Sequence, residues 1–377
     1  MLNLIHSTDR AVFTKGVRAF LTHTFITKRD NLLWPHFCEV RDSHTKTDFA
    51  AALGTVPTMS EVPFDTEAPE AQGFNDYYLS WENRLHKMLF GVKRSAMDFD
   101  QVGQLRQLLP SIANRLFNYP DVVWINRLRN ASAIESYDSS RNGAAQTFFF
   151  DTTHDLGNGT NQSNIVSGTT TTASFTDGST ALSTIALSLL KDFTVATTRM
   201  RTFTDDRGLP WYPQEMPSGR WKILCSPLLQ PAFDLAFRAE FISQTQNVFR
   251  QIPQVISTSY LPADTSAEAA YWYLFYISDQ TNRPFVYSRF RRITDAQIED
   301  KMSLPTNGLP QGVSADTIRA GLQDFSSYEI QTTLGRRGMD IDADTMMNER
   351  YLFGARAMFE IFPAIWQTAI QVTNSAS

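Results

Sequence analysis

The chain has 377 residues, 34 Lys+Arg against 39 Asp+Glu, and two cysteines, a length that at ~150 residues per domain predicts two or three structural units. A hydrophobic content of 42% excludes a disordered chain, and no apolar run is long enough to span a bilayer. A net charge of −5 without a basic block argues against wrapping of nucleic acid, and Cys38 and Cys225 stand too far apart for a disulfide framework or a cysteine zinc site.

In chain order, the N-terminal stretch carries Asp9 where a secretory signal needs an unbroken apolar run, so synthesis in a reducing cytoplasm is expected. LTHTFITKRDNLLWPHF (21–37) follows neither a helical nor an alternating period and reads as an extended or mixed arm. Residues 51–76 hold five acids (Glu61, Asp65, Glu67, Glu70, Asp76) and no base, with Pro57, Pro63, Pro69 and Gly73 as breaks. Residues 77–96 then hold four bases (Arg84, Lys87, Lys93, Arg94) against Glu82, on a partly alternating, strand-like pattern. Together they predict a long hairpin-like loop with one acidic and one basic limb. Limbs of about fifteen to twenty residues reach on the order of 50–65 Å. A lone hairpin is marginal in water, so this one is expected to lie on a neighbouring subunit.

A helix follows, capped by Asp98 or Asp100, with Val102, Leu105, Leu109, Ile112 and Leu116 on one face. Pro110 is expected to kink or divide it, and Tyr119-Pro120-Asp121 to end it before a second short helix over 122–130. Residues 151–180, rich in Gly, Thr, Ser and Asn, read as a long surface loop, and the next helix starts near Ser179 or Thr180. DDRGLPW (205–211) is a turn. WKILCSPLLQPAFDLAFRAEF (221–241) reads as a strand entering a helix with Pro227 near its start. YWYLFYI (271–277) and FVYSRFRRI (285–293) are strands, and YEIQTTLGRRGMDIDA (328–343) a strand pair around Gly335 and Gly338. The apolar C-terminal segment from Arg350 must tuck into the body.

The one cluster with catalytic or metal-binding chemistry is Asp151-Thr-Thr-His154-Asp155, because carboxylates with an imidazole can ligate zinc or iron. All six histidines fall within the first 154 residues, which leaves this group short of the three or four convergent ligands a metal needs. Gly157-Asn-Gly159 lacks a dinucleotide fingerprint, and neither a phosphate loop nor a nucleophile elbow occurs. The arginine pairs in FRRI (290–293) and GRRG (335–338) read as strand edges rather than phosphate sites, and Tyr271-Trp272-Tyr273 as sheet core rather than a stacking platform. No active site and no cofactor are expected. Charged residues are only 19% and aromatics 12%, which fits either a large Phe-rich core or a surface covered by partners.

The order of several segments resembles the major head subunit of Mu-type tailed bacteriophages. They are HKMLFGVKRSAMDFDQ (86–101), FFDTTHDLGNGTNQSN (149–164), DDRGLPW, KILCSPLLQPAFDLA, YWYLFYISDQTNRPFVYSRFRRI and YLFGARAMFEIFPAIWQTAI. The resemblance implies an α+β tailed-phage major capsid (Johnson) fold. Its parts would be an N-terminal arm (1–52), an extended loop (53–95), a peripheral domain with a long spine helix (96–130), an axial domain (131–270), peripheral strands (271–345) and a C-terminal segment returning to the axial domain (346–377). It implies a structural protein of the virion, made in the bacterial host cytoplasm and assembling with itself as pentamers and hexamers into an icosahedral shell. That shell would enclose double-stranded DNA without sequence-specific binding, with scaffolding, portal and decoration proteins as further partners and no membrane. Glu61, Asp65, Glu67, Glu70, Arg84, Lys87, Lys93 and Arg94 are the candidate inter-subunit contacts. The alternatives are another virion component, of tail or decoration type, or a metal-dependent enzyme using 151–155.

Overall fold

The computed structural model of the chain describes residues 31–53, 76–93, 104–135, 148–155, 161–171, 181–278 (apart from 206, 213, 215, 243, 244, 248, 251 and 265), 283–290, 328–332 and 350–375. The first half holds β1 (Cys38–Ser43), β2 (Thr47–Leu53), β3 (Asp76–Glu82), β4 (Arg84–Lys93) and α1 (Gln104–Arg129). There follow β5 (His154–Asp155), β6 (Asn161–Gln162), β7 (Ile165–Thr171), α2 (Leu182–Arg201), β8 (Trp221–Cys225) and α3 (Gln230–Arg238). The rest comprises β9 (Phe241–Ile242), β10 (Thr245–Gln246), β11 (Gln254–Ser257), β12 (Trp272–Tyr276), β13 (Phe285–Phe290), β14 (Tyr328–Thr332), β15 (Arg350–Pro363) and β16 (Ala369–Ser375).

Two five-stranded sheets organise these elements. In the first the order is β1-β13-β15-β14, with β4 also paired to β15; in the second it is β11-β8-β12-β16-β7. β12 is buried at every position, as an interior strand packed on both faces must be. The span 271–345 is therefore divided: β12 pairs with β8 and β16, whereas β13 and β14 pair with β15. The apolar C-terminal segment gives one strand to each sheet, β15 to the first and β16 to the interior of the second.

α1 runs unbroken for 26 residues, about 39 Å at 1.5 Å per residue, through both Pro110 and Pro120. The expected division at these prolines does not occur. Each proline costs the helix about 3 kcal/mol. Ile112, Leu116, Phe117, Trp124, Ile125 and Leu128 are all buried on it, and burial contributes about 1.5–3 kcal/mol for each large side chain. Packing outweighs the broken ladder. The caps Asp98 and Asp100 lie outside the described residues.

α2 begins at Leu182, directly after Ala181, whose carbonyl accepts from the amides of Thr184 and Ile185; Ser179 and Thr180 are outside the described residues. At α3 the proline of the first turn is Pro231, not Pro227, which sits in the preceding turn after Ser226. The 205–211 turn is as expected. Gly208 takes φ +78°, and the Asp205 side chain accepts from the amides of Arg207 and Leu209.

Within the supposed surface loop of 151–180, residues 165–171 form β7, paired in parallel with β16. Branched Ile165, Val166 and the threonines suit a strand. Gly168 is required by the neighbour, since a Cβ there would collide with Asn374 Oδ1 and touch Val372. Asn374 is itself held by its Nδ2 donating to Ala270 O at 2.7 Å. For YEIQTTLGRRGMDIDA, β14 pairs with the distant β15, and the glycines lie outside the described residues.

The 3-10 turn Trp34–His36 joins the two sheets. Trp34 stacks on Tyr287 of the first sheet at 4.4 Å. Phe37 stacks on Trp124 of α1 at 4.8 Å and touches Phe275 of the second sheet at 4.7 Å. One continuous apolar core runs through these contacts.

Candidate functional site

Among the described residues the two limbs meet only at their near ends, where Ala51 and Ala52 pair with Tyr78 and Tyr77; residues 54–75 lie outside the described residues. β3 pairs antiparallel with β2, forming the hairpin, while the basic strand β4 pairs antiparallel with β15 along ten positions, Arg84↔Phe359 to Lys93↔Arg350. The chain passes from one partner to the other at Asn83, and the surroundings of this residue are built for that change. Asn83 is buried, and its Nδ2 donates to Ser43 Oγ (2.8 Å) and Thr45 O (3.0 Å). Its Oδ1 accepts from Ser288 Oγ (2.9 Å), and its amide donates to Lys46 O. The Ser43 and Ser288 contacts tie the hairpin root to β1 and β13 of the first sheet, and those to Thr45 and Lys46 hold it to the link between β1 and β2.

Beside Asn83, Trp81 stacks on Phe362 at 3.7 Å in a small apolar cluster with Val286. Behind it, the Glu360 carboxylate is buried between two arginines. Arg127 NH2 of α1 lies 2.7 Å from Oε1, and Arg84 Nε of β4 lies 3.3 Å from Oε2. His86 Nδ1 meets Tyr119 Oη at 2.9 Å and His86 Nε2 meets Phe359 O at 3.2 Å. Burial holds the His86 imidazole below its ordinary pKa against the raising effects of Phe359 O and Glu360. Strand β4, helix α1 and strand β15 thus meet at one ionic and aromatic node.

Of the candidate contacts, Arg84 is used within the chain, although much of it stays exposed. Lys87 is exposed, and the strand register sets it opposite Arg356, as it sets Lys93 opposite Arg350. Glu61, Asp65, Glu67, Glu70 and Arg94 lie outside the described residues.

The 151–155 cluster has structural work. Asp151 closes a turn: its carboxylate accepts from the amides of Phe148, Thr152 and Thr153 and from Thr153 Oγ1. Burial works to raise its pKa, but these donors outweigh it and hold the carboxyl below its usual range. His154 is buried, stacked on Trp366 at 3.9 Å and 8°, with Nε2 3.3 Å from Asn164 Oδ1. Among the described residues no group of three or more His, Cys, Asp and Glu is placed to hold a metal. Cys38 and Cys225 are buried, and burial pushes both thiols up.

A β2–β3 hairpin rooted beside the first sheet, a 26-residue helix and a C-terminal segment giving one strand to each sheet invite comparison with known proteins. The profile of the family described as Mu-like prophage major head subunit gpT matches residues 12–207. The chain belongs to that family. No curated protein matches it.

Among solved structures, the head subunit is similar to one titled as the asymmetric unit of the bacteriophage PhiM1 mature capsid. The TM-score is 0.52 at 9% identity, covering 91% of this chain and 87% of that one. It is also similar to one from the procapsid of bacteriophage JBD30, with TM-score 0.44 at 13% identity, covering 98% of this chain and 76% of that one. The fold is that of phage major capsid proteins, and the protein is a major capsid subunit of a tailed phage, a component of the virion that associates with itself in the head shell. No helix among the described residues is long and apolar enough to cross a membrane.

Sequence reasoning missed three residues that anchor the hairpin root, the basic strand and the N-terminal segment of the head subunit: Asn83, Glu360 and Asp121. Asp121, buried within α1, accepts from the amides of Leu33 (3.0 Å) and Trp34 (2.9 Å), clamping the N-terminal segment to the helix. Burial pushes its carboxyl up to about 6, against the lowering effect of those two amides. The only local signal for Asn83 is an amide between two alternating apolar runs. For Glu360 it is an acid inside an apolar strand.

Proposed function

We propose that the head subunit assembles as pentamers and hexamers into an icosahedral shell around double-stranded DNA, and that it works by assembly rather than catalysis. Family membership is the observation that carries this reading. Weak interfaces closed many times over make a stable shell through multivalency. The axial domain is built on the sheet of β8, β12 and β16, and the peripheral domain on α1 with the sheet of β4, β13 and β15. The chain before β1 is the arm, and the segment around 53–95 is the extended loop. Scaffolding, portal and decoration proteins are its further partners.

Glu61, Asp65, Glu67, Glu70, Arg84, Lys87, Lys93 and Arg94 contact neighbouring subunits in this reading, setting register more than affinity. Deleting residues 60–76 is expected to leave a soluble subunit that forms no closed particles. Electron microscopy of the purified wild-type and deleted proteins tests this. Closed shells from the deletion would end the loop's proposed role, and a wild type that gave rings or tubes in place of shells would end the proposal as a whole.

A further inference from the structure

Two arginines withdrawn from solvent in this subunit have carboxylate partners. Arg127 has Glu360, and Arg289 has Asp42. One group of cations does not follow that pattern. Lys222 is the one incompletely buried position of β8, an interior strand of the second sheet. Its Nζ has two long polar contacts, both to His36: 3.4 Å to Nδ1 and 3.3 Å to the backbone oxygen. It also lies 5.8 Å from the centre of the Phe37 ring. Arg283, just before β13, donates through NH1 to Pro35 O and to Cys38 O (2.9 Å), while its buried Nε has no hydrogen-bond partner.

Burial lowers the pKa of Lys222 and of His36, and the nearby Arg283 charge lowers both further. Among the described residues no carboxylate lies within ion-pair distance of Lys222, Arg283 or His36. Partial desolvation and mutual repulsion are both unfavourable here, and an unpaired half-buried charge is worth far more to a partner than an exposed one. The cations of β4 offer less, since Lys87 is exposed and Arg84 already has Glu360.

We propose that His36, Lys222 and Arg283 form the receiving site for a side-chain carboxylate from a neighbouring copy, supplied by the segment carrying Glu61, Asp65, Glu67 and Glu70. This rests on the shell-forming function proposed above. Two features select the partner. Residues 51–76 contain five acids and no base, the complement of an acid-free basic cluster. Lys222 and Arg283 together can seat one carboxylate, whereas binding a duplex requires several phosphate contacts, and the chain carries −5 overall.

The test uses the full-length chain and measures the critical concentration for shell assembly, together with the melting temperature of the unassembled subunit. Lys222→Met keeps the length and removes the charge; Lys222→Arg restores the charge. The combination Glu61→Gln, Asp65→Asn, Glu67→Gln, Glu70→Gln neutralises the proposed donor. Lys222→Met is expected to raise the critical concentration about tenfold, the scale of one well-placed ion pair, with no fall in melting temperature. Lys222→Arg is expected to assemble like wild type. Adding Lys222→Met to the neutralised segment is expected to change nothing more, because both remove the same contact.

An unchanged critical concentration in Lys222→Met, or effects that simply multiply in the combined variant, would overturn the proposal. So would a lowered melting temperature that accounts for the assembly defect. Loss of binding to a double-stranded DNA fragment with normal assembly would assign the cluster to nucleic acid instead. Failure of the wild type itself to form shells would count against the proposed function, and is thereby distinguished from a wild type that assembles while Lys222→Met matches it.

Discussion

The two sheets of the head subunit are held by different physics. The sheet of β8, β12 and β16 is filled mainly with apolar side chains: Trp221, Ile223, Leu224, Trp272, Leu274, Phe275, Ile370 and Val372 are all buried, beside the buried amides Gln371 and Asn374 of β16. The sheet of β4, β13 and β15 is apolar toward α1, but it also contains buried Asn83, Ser288, Ser43, Arg289 and Glu360. Apolar packing is strong and indifferent to small shifts in partner choice. A polar network contributes less energy, yet it penalises every arrangement that leaves a member unpaired. The first kind of sheet suits a fixed body. The second suits a place where a hairpin must leave that body at one position and no other.

The comparison breaks most visibly where apolar packing is removed. Trp366→Ala leaves a hole beside His154 and Phe203, and is expected to cost about 3–5 kcal/mol, read as a large fall in melting temperature of the unassembled subunit. A loss under about 1 kcal/mol would mean that this sheet is not the rigid half. His154→Ala strikes the same stack and is expected to destabilise too, for reasons of packing and not of metal.

The clamp between the N-terminal segment and α1 gives the next effect, through pH. The folded-state carboxyl of Asp121, at about 6, lies above its unfolded value near 3.8. The folded chain therefore binds this proton more tightly. The stability it contributes is fully present below about pH 4 and is lost as pH rises through about 6, an amount on the order of 2–3 kcal/mol. Asp121→Asn should flatten the melting temperature against pH across that window relative to wild type, and parallel curves would refute the assignment.

Within the polar half, Glu360→Ala strands the half-buried Arg127 and is expected to cost about 2 kcal/mol, discounted because Arg84 is largely exposed. Replacing Glu360 and Arg127 together by leucine should recover most of that loss, and no recovery would argue that the node is a simple stabiliser. The smallest effect is sited at the hairpin root. Asn83→Ala removes the contacts to Ser43, Thr45 and Ser288 for about 1–2 kcal/mol of global stability. Its larger signature should be faster amide exchange in β2 and β3 than in β8 and β12. Equal acceleration in all four strands would erase the distinction between the halves.

Much of the strand and helix inventory was legible because it is periodic. YWYLFYI reads as a buried strand and proves to be one, and the helix after residue 181 follows its apolar spacing. The errors have a common cause. Pro110 and Pro120 are local signals overruled by what α1 buries, and the Thr-rich stretch of β7 looked like a loop because its partner β16 lies two hundred residues away. The basic strand was expected to pair with its sequence neighbour, whereas it pairs with β15, some 260 residues on.

The sequence by itself determined the α+β class of the protein, because composition and periodicity are local properties carried by each segment, and the order of its motifs resembled that of a phage head subunit. It also displayed the charge contrast between 51–76 and 77–96. Only the tertiary structure decided that the basic strand pairs with β15, that Asn83 is the pivot, that Glu360 is buried between Arg84 and Arg127, and that Lys222 and Arg283 meet at the turn of His36 with no carboxylate of the described residues in contact. These are contacts between residues far apart in the chain, and their energies depend on burial, which no local pattern encodes.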